Sequence, residues 1–272
     1  MVSLVFQSMT AAALLLASSV AFAGGSPVVF TAHDYGFTGP ERIPAGLTTM
    51  QIVNRGQDLH QIQLLKLQQG KTAEEFRAAM AAQPGRMPDW VTFVGGPNAI
   101  VPGADAVAVM PLAEGDYLLI CLIPNEEGIP HLALGMQKAL SVRGAQPVAV
   151  AAPRADVTIT QEDFRFGLSR SIPAGFHTLR VVNHGAQPHE VVVVKLAPGA
   201  TASEFAAAVE PRTATPPPGA PIGGVVGIER GGDAFFTAQF EPGRYGLVCF
   251  FQDRATGTPH FAKGMTLDFT VR

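Results

Sequence analysis

Charge is scarce in this chain. Asp, Glu, Lys and Arg make up 15% of its 272 residues, the formal net charge is −3, and the basic residues are scattered. The electrostatic footprint of a nucleic-acid binder is therefore missing, which leaves small molecules, metals or proteins as partners. Cysteine occurs twice and tryptophan once, which excludes a disulfide-dense scaffold. After the first 23 residues no apolar stretch is long enough to span a membrane. What is abundant instead is glycine (29) and proline (22), without a collagen period, on a background that is 47% hydrophobic. That balance excludes disorder and points to many short strands joined by turns, in a chain long enough for two domains. The expected class is all-β.

Residues 1–23 contain no charge and end in Ala21-Phe22-Ala23, the small-x-small pattern of a signal peptide. Cleavage is favoured over an uncleaved anchor, because Gln7, Ser8, Thr10, Ser18 and Ser19 interrupt the apolar run. The expectation is an exported protein, periplasmic or secreted, with no membrane span in the mature chain.

The rest of the chain repeats itself at an offset of about 129 positions. Ile43-Pro44-Ala45-Gly46 returns as Ile172-Pro173-Ala174-Gly175. Val53-Asn54-Arg55-Gly56, followed by His60, returns as Val182-Asn183-His184-Gly185, followed by His189. Glu114-Gly115-Asp116-Tyr117 before Cys121 returns as Glu241-Pro242-Gly243-Arg244-Tyr245 before Cys249. Pro130-His131 and Gly135-Met136 return as Pro259-His260 and Gly264-Met265. The expected layout is a first domain over 24–143, an Ala/Pro-rich linker over 144–155 and a second domain over 156–272.

Apolar and β-branched runs at Leu47 to Val53, Gln61 to Leu67, Ala106 to Pro111 and Tyr117 to Ile123 read as strands of a sandwich. So do Thr178 to Val182, Val191 to Leu196, Ala234 to Phe240 and Tyr245 to Phe251. Thr72-x-x-Glu75 and Thr201-x-x-Glu204 each open one short helix per repeat with a capping box. The Pro/Gly-rich segments 83–103 and 210–224 are expected to be long loops, serving as a lid or an interaction surface.

Gly115-x-Tyr117-x-x-x-Cys121 is followed by nine residues and His131, then four more and Met136; in the second copy ten residues separate Cys249 from His260 and four separate His260 from Met265. With His60 and His189 upstream, both repeats resemble the cupredoxins, the blue-copper proteins and the related domains of larger copper enzymes. The resemblance implies two tandem cupredoxin-like Greek-key β-sandwiches, each with one short helix. It also implies two copper ions per chain, one held by His60, Cys121 and His131 with weak axial Met136, the other by His189, Cys249 and His260 with Met265. A thiolate, two imidazoles and a distant thioether form the soft site that suits copper in both oxidation states.

Each residue has a simpler reading: a buried structural histidine, a core methionine, a buried thiol or one disulfide. Taken singly those readings win, but the same four residue types in the same order twice favour a metal site. A disulfide between Cys121 and Cys249 would need their Cα atoms within about 7 Å, which the repeat allows only if the two sites abut. Gln61 and Glu190 follow the upstream histidines. A carboxylate at Glu190 is expected to favour Cu(II) and give the second site the lower reduction potential.

Tandem copper oxidases and nitrite reductases add histidines beside the copper cysteine. Here Ile120 and Leu122 flank Cys121, while Val248 and Phe250 flank Cys249. His33, His177 and His184 are the spare histidines, and His184 reads as a turn residue. Electron carriage with a redox partner protein is therefore favoured over catalysis, with partner docking at apolar residues around a surface-reaching loop histidine (Pro130, Leu132 and Leu134; Pro259 and Phe261). A copper-handling protein and a binding β-sandwich that has lost its metal are the alternatives. The sequence does not give the oligomeric state.

Overall fold

A computed structural model describes residues 26–145, 151–209 and 216–272. The proposed signal peptide, the middle of the linker and residues 210–215 lie outside these. The first repeat comprises β1 (Val28–His33), β2 (Gly36–Thr38), β3 (Arg42–Asn54), β4 (Gln63–Leu67), α1 (Ala73–Ala82), β5 (Val91–Gly95), β6 (Asp105–Leu112), β7 (Gly115–Ile120) and β8 (Gln137–Ala145). The second follows the same order with β9 (Val157–Glu162), β10 (Arg165–Leu168), β11 (Gly175–Asn183), β12 (His189–Leu196), α2 (Ala202–Val209), β13 (Gly219–Ile228), β14 (Asp233–Phe240), β15 (Gly243–Val248) and β16 (Thr266–Val271). The chain is all-β, and each repeat is a Greek-key sandwich carrying one short helix.

The two sandwiches share their layers. One layer runs β2, β1, β3, β6, β14, β11, β9, β10, and the other β8, β7, β4, β5, β13, β12, β15, β16. The repeats join edge to edge where β6 meets β14, pairing Val109 with Phe235, and where β5 meets β13, pairing Val94 with Ile228. Within each repeat β1 and β9 run parallel to β3 and β11, with Val28 opposite Met50 and Val157 opposite Leu179. At the rim of the first repeat, Arg42 and Ile43 of β3 also pair with Ser141 and Val142 of β8, stitching its two layers together.

Alternating strand residues turn inward. Phe30, Met50, Ile52, Leu64, Leu119 and Val142 fill the first sandwich and Leu179, Val181, Val193, Phe236 and Leu247 the second, in one core that runs through both repeats. Each such side chain removed from water contributes about 1.5–3 kcal/mol. Tyr117 and Tyr245 are buried in equivalent places, and their hydroxyls donate to the carbonyls of Ala113 (2.7 Å) and Glu241 (3.1 Å). This corner pins the start of the strand that leads to each cysteine.

Both capping boxes form. Glu75 N donates to Thr72 Oγ1 and Thr72 N to Glu75 Oε2, and Thr201 and Glu204 exchange the same pair of bonds. Phe76 anchors α1 against Leu65, Leu67 and Leu118, and Phe205 anchors α2 against Val192, Val194 and Val248.

The expected loops after the helices are different in kind: each contributes the strand, β5 or β13, that joins the repeats. Glycine pairs hid them from strand periodicity. Gly95 and Gly96 (φ 104° and 135°) and Gly223 and Gly224 (φ 120° and 129°) take a backbone conformation that other residues rarely adopt. At these points the registers of β4 with β5 and of β12 with β13 are irregular. A Cβ on Gly96 would lie 2.1 Å from the carbonyl oxygen of Ile62, and one on Gly224 2.0 Å from that of Val191.

Candidate metal centres

The upstream histidine of each set is placed by the Asn/Gly turn that the repeat displays. Asn54 Oδ1 accepts from Gly56 N (2.9 Å), and its Nδ2 donates to the carbonyls of Asp58 (2.8 Å) and Ile100 (3.2 Å). Asn183 does the same with Gly185, Gln187 and Ile228. The backbone of His60 is then held on both sides by Ile100, and that of His189 pairs with Ile228.

The other candidate ligands come from the loop beyond β7 and β15. Both strands stop sooner than the sequence suggests, at Ile120 and Val248, so each cysteine sits just past the last ladder residue. Cys121 N instead donates to Met136 O (3.3 Å), and Cys249 N to Met265 O (3.3 Å). A single turn of 3-10 helix starts at each loop histidine. It closes on Gly135 and Gly264, both at φ 101°, where a side chain would be strained. Met136 N and Met265 N then donate to the carbonyls of His131 and His260, each at 2.9 Å. The four-residue spacing from His to Met is thus one closed turn.

These elements bring together all six predicted His and Cys side chains, three per repeat. The ligand atoms of His60, Cys121 and His131 lie within 4.8 Å of one another, as do those of His189, Cys249 and His260. All six residues are fully buried, as are Met136 and Met265. Nδ1 of His131 is 3.5 Å from Cys121 Sγ, and Nδ1 of His260 is 3.4 Å from Cys249 Sγ. Nδ1 of His189 stands 3.0 Å from Nδ1 of His260 and 4.0 Å from Cys249 Sγ. No disulfide forms; both cysteines are free and each belongs to its own set.

Sequence reasoning missed the residues that orient the histidines. Asp34 Oδ1 is 2.6 Å from His60 Nε2, and Asp163 Oδ1 is 2.9 Å from His189 Nε2. Burial works against these carboxylates. The N–H of Gln57 with the His60 ring, and His189 with the N–H of Ala186, nonetheless hold Asp34 and Asp163 below the usual range. An ionised carboxylate accepts only, so Nε2 carries the ring proton and Nδ1 turns a lone pair toward the thiol. His60 Nδ1 has no hydrogen-bond partner in its buried position. The signal was present, since Asp34 and Asp163 are themselves repeat equivalents.

Gly56 and Gly185 now have a reason. A Cβ on Gly56 would lie 2.2 Å from Asp34 Oδ1 and 2.5 Å from His60 Nε2, and one on Gly185 2.5 Å from both Asp163 Oδ1 and His189 Nε2. Only glycine lets the carboxylate reach the ring.

The loop histidines do not reach the surface as expected. The Tyr35 ring is tilted against that of His131 with centroids 4.6 Å apart, and Phe164 meets His260 edge-to-face at 5.2 Å, both projecting from the turn that joins the first two strands of their repeat. Asp58 faces His131 Nε2 at 3.5 Å in the first site. The spare His184 is a turn residue whose N–H donates to Gln161 O, and His177 lies 3.5 Å from Asp156.

Burial pushes the Cys121 thiol up to about 12 despite backbone N–H groups of Gln61 and Ile123 directed at the sulfur. Cys249 is raised further, by burial and then by the neighbouring Glu190 charge, against the N–H groups of Glu190 and Phe251. Burial lowers all four imidazoles, His260 to about 4. Such buried thiols ionise only for a strong cationic partner, and the neutral rings offer it lone pairs. The donor set therefore fits one soft, tightly bound cation per sandwich.

No family model matches the chain, and no curated protein matches it. Among solved structures it is similar to an auracyanin from Roseiflexus castenholzii (23% identity, covering 42% of this chain and 94% of that one, TM-score 0.32). It is also similar to the blue copper protein auracyanin A from Chloroflexus aurantiacus (21%, 43% and 100%, TM-score 0.29). A copper-containing nitrite reductase from Thermus scotoductus matches over 90% of this chain and 68% of its own, at 14% identity and a TM-score of 0.26. Both repeats are all-β Greek-key sandwiches, and each carries His, Cys, His and Met in the same order.

Proposed function

We propose that this protein binds two copper ions, one in each sandwich, and works as an exported electron carrier. The observation that carries the proposal is the convergence, twice, of two imidazole nitrogens and one buried thiol, with a buried methionine one turn away. His60, Cys121 and His131 would hold the first ion with Met136 as weak fourth partner; His189, Cys249, His260 and Met265 would hold the second. Copper bound there supplies one-electron exchange. Burial keeps the rings neutral, Asp34 and Asp163 turn His60 and His189, and the fold shields the thiolates from water and holds each loop by the short turn ending at Gly135 or Gly264.

Complete burial of the ligand residues favours carriage over delivery, since a metal passed to a partner needs an accessible ligand. Among the described residues, the groups of His, Cys, Asp and Glu that could hold a metal are these two alone. No histidine flanks either cysteine to build the second kind of copper centre at which an oxidase or reductase binds its substrate. A redox partner would dock near Leu134 and Ile129, the large apolar side chains exposed on the first ligand loop. No helix among the described residues is long and apolar enough to cross a membrane. Copper analysis with an optical spectrum tests the proposal. An intense visible thiolate band with two coppers per chain is expected, and a folded, copper-treated protein without that band would refute it.

A further inference from the structure

The second site is not independent of the first sandwich. Asn98 follows β5 in the first repeat and is fully buried at the junction. Its N–H donates to Gly224 O (3.2 Å), while its Nδ2 lies 3.1 Å from Glu190 Oε2, 3.1 Å from Val191 O and 3.2 Å from Val225 O, all in the second repeat. The other carboxylate oxygen of Glu190 accepts from Phe250 N at 3.0 Å. Glu190 also directs its own N–H at the Cys249 sulfur. One carboxylate thus joins the first repeat to both chain segments that flank the second thiol.

The arrangement exists on one side only. Around the pseudo-two-fold axis of the junction, the counterpart of Asn98 is Val226, whose N–H donates to Gly96 O (3.0 Å) just as that of Asn98 donates to Gly224 O. The counterpart of Glu190 is Gln61. A valine side chain donates nothing, and Gln61 presents no carboxylate at that position for it to hold. The amide and the acid occur as a pair, facing each other across the junction.

We propose that Asn98 is a positioning residue for the second metal centre: the first sandwich, through Asn98, fixes and partly neutralises the Glu190 carboxylate beside Cys249 and so sets that centre's reduction potential. This rests on the copper reading above. Removing the amide N–H leaves more negative charge beside the thiolate, which favours Cu(II) at this site alone.

The test uses full-length, copper-loaded protein. Cys121→Ser leaves one thiolate band, from the second site, and Cys249→Ser leaves that of the first. In the Cys121→Ser background, Asn98→Ala is expected to shift the band and to move the Cu(II)/Cu(I) equilibrium about tenfold toward Cu(II), about 59 mV for one electron. In the Cys249→Ser background it is expected to leave band and potential unchanged. Glu190→Gln is expected to move the second potential upward, and adding Asn98→Ala to it to produce little further change. Asn98→Val, which copies the counterpart residue, serves if the alanine variant fails to fold. A shift of equal size at the first site, a shift that survives Glu190→Gln, or no shift at all would overturn the inference. Absence of a thiolate band in the unaltered protein is a different result and removes the copper reading itself.

Discussion

Nε2 of His60 stands 2.6 Å from Oδ1 of Asp34, and the pairing recurs between His189 and Asp163 at 2.9 Å. This contact decides which face of the imidazole is available. With the proton held on Nε2, the Nδ1 lone pair points into the sandwich at the thiol, where a cation would sit. Partners of this kind typically account for 10–100-fold in metal affinity. Asp34→Asn should therefore weaken copper at the first site by about that factor and spare the second, with Asp163→Asn doing the reverse. Chelator competition on the two single-cysteine variants measures this, and unchanged affinities would show that packing alone orients the rings.

Gly56 and Gly185 make the same contact possible by having no side chain. Gly56→Ala places a methyl 2.2 Å from Asp34 Oδ1, and Gly185→Ala one 2.5 Å from Asp163 Oδ1. Overpacking of this kind costs about 1–3 kcal/mol. Each variant should lower the denaturant midpoint of the metal-free protein and weaken copper at its own site. A variant as stable as the parent, with full affinity, would contradict the geometry.

The four histidines make the metal-free protein acid-sensitive. Burial, and for His260 the neighbouring His189, lowers their pKa in the folded state, His260 from 6.5 to about 4. Between those values the unfolded chain binds more protons than the folded one, so stability falls as pH drops through that window and is retained above it. Urea midpoints of metal-free protein should decline from pH 6.5 toward pH 4, and less steeply in His260→Gln. A flat profile would show that the rings titrate alike in the folded and unfolded chain.

Glu190 separates the two sites electrostatically. Its carboxylate lies beside Cys249, whereas the first repeat has the uncharged Gln61 in that position. Voltammetry of Cys121→Ser and Cys249→Ser should give the second site the lower potential. Equal potentials would mean that the hydrogen bonds from Asn98 and Phe250 cancel the carboxylate's field.

The grouping of the histidines and cysteines was legible in the sequence because a duplicated chain repeats whatever it needs. His60, Cys121 and His131 recur as His189, Cys249 and His260, and the structure brings each trio together. The helices were equally legible, since Thr72 with Glu75 and Thr201 with Glu204 form caps that depend on local spacing alone. Asp34 and Asp163 were hidden, although they too recur, because a carboxylate near a strand end reads as surface until the fold places it behind a ring. The strands β5 and β13 were hidden by Gly95-Gly96 and Gly223-Gly224, whose unusual backbone breaks the alternation that marks a strand. Asn98 could not be found at all from the repeat, because its counterpart is Val226.

The account stands on copper bonded to each cysteine within its own sandwich. Copper content and thiolate absorption, measured together on the parent, on Cys121→Ser and Cys249→Ser, and on the double variant, test that directly. Two, one, one and zero coppers per chain, with the visible band falling in step, are expected. A parent protein that folds, takes up no copper and keeps two titratable thiols would contradict it.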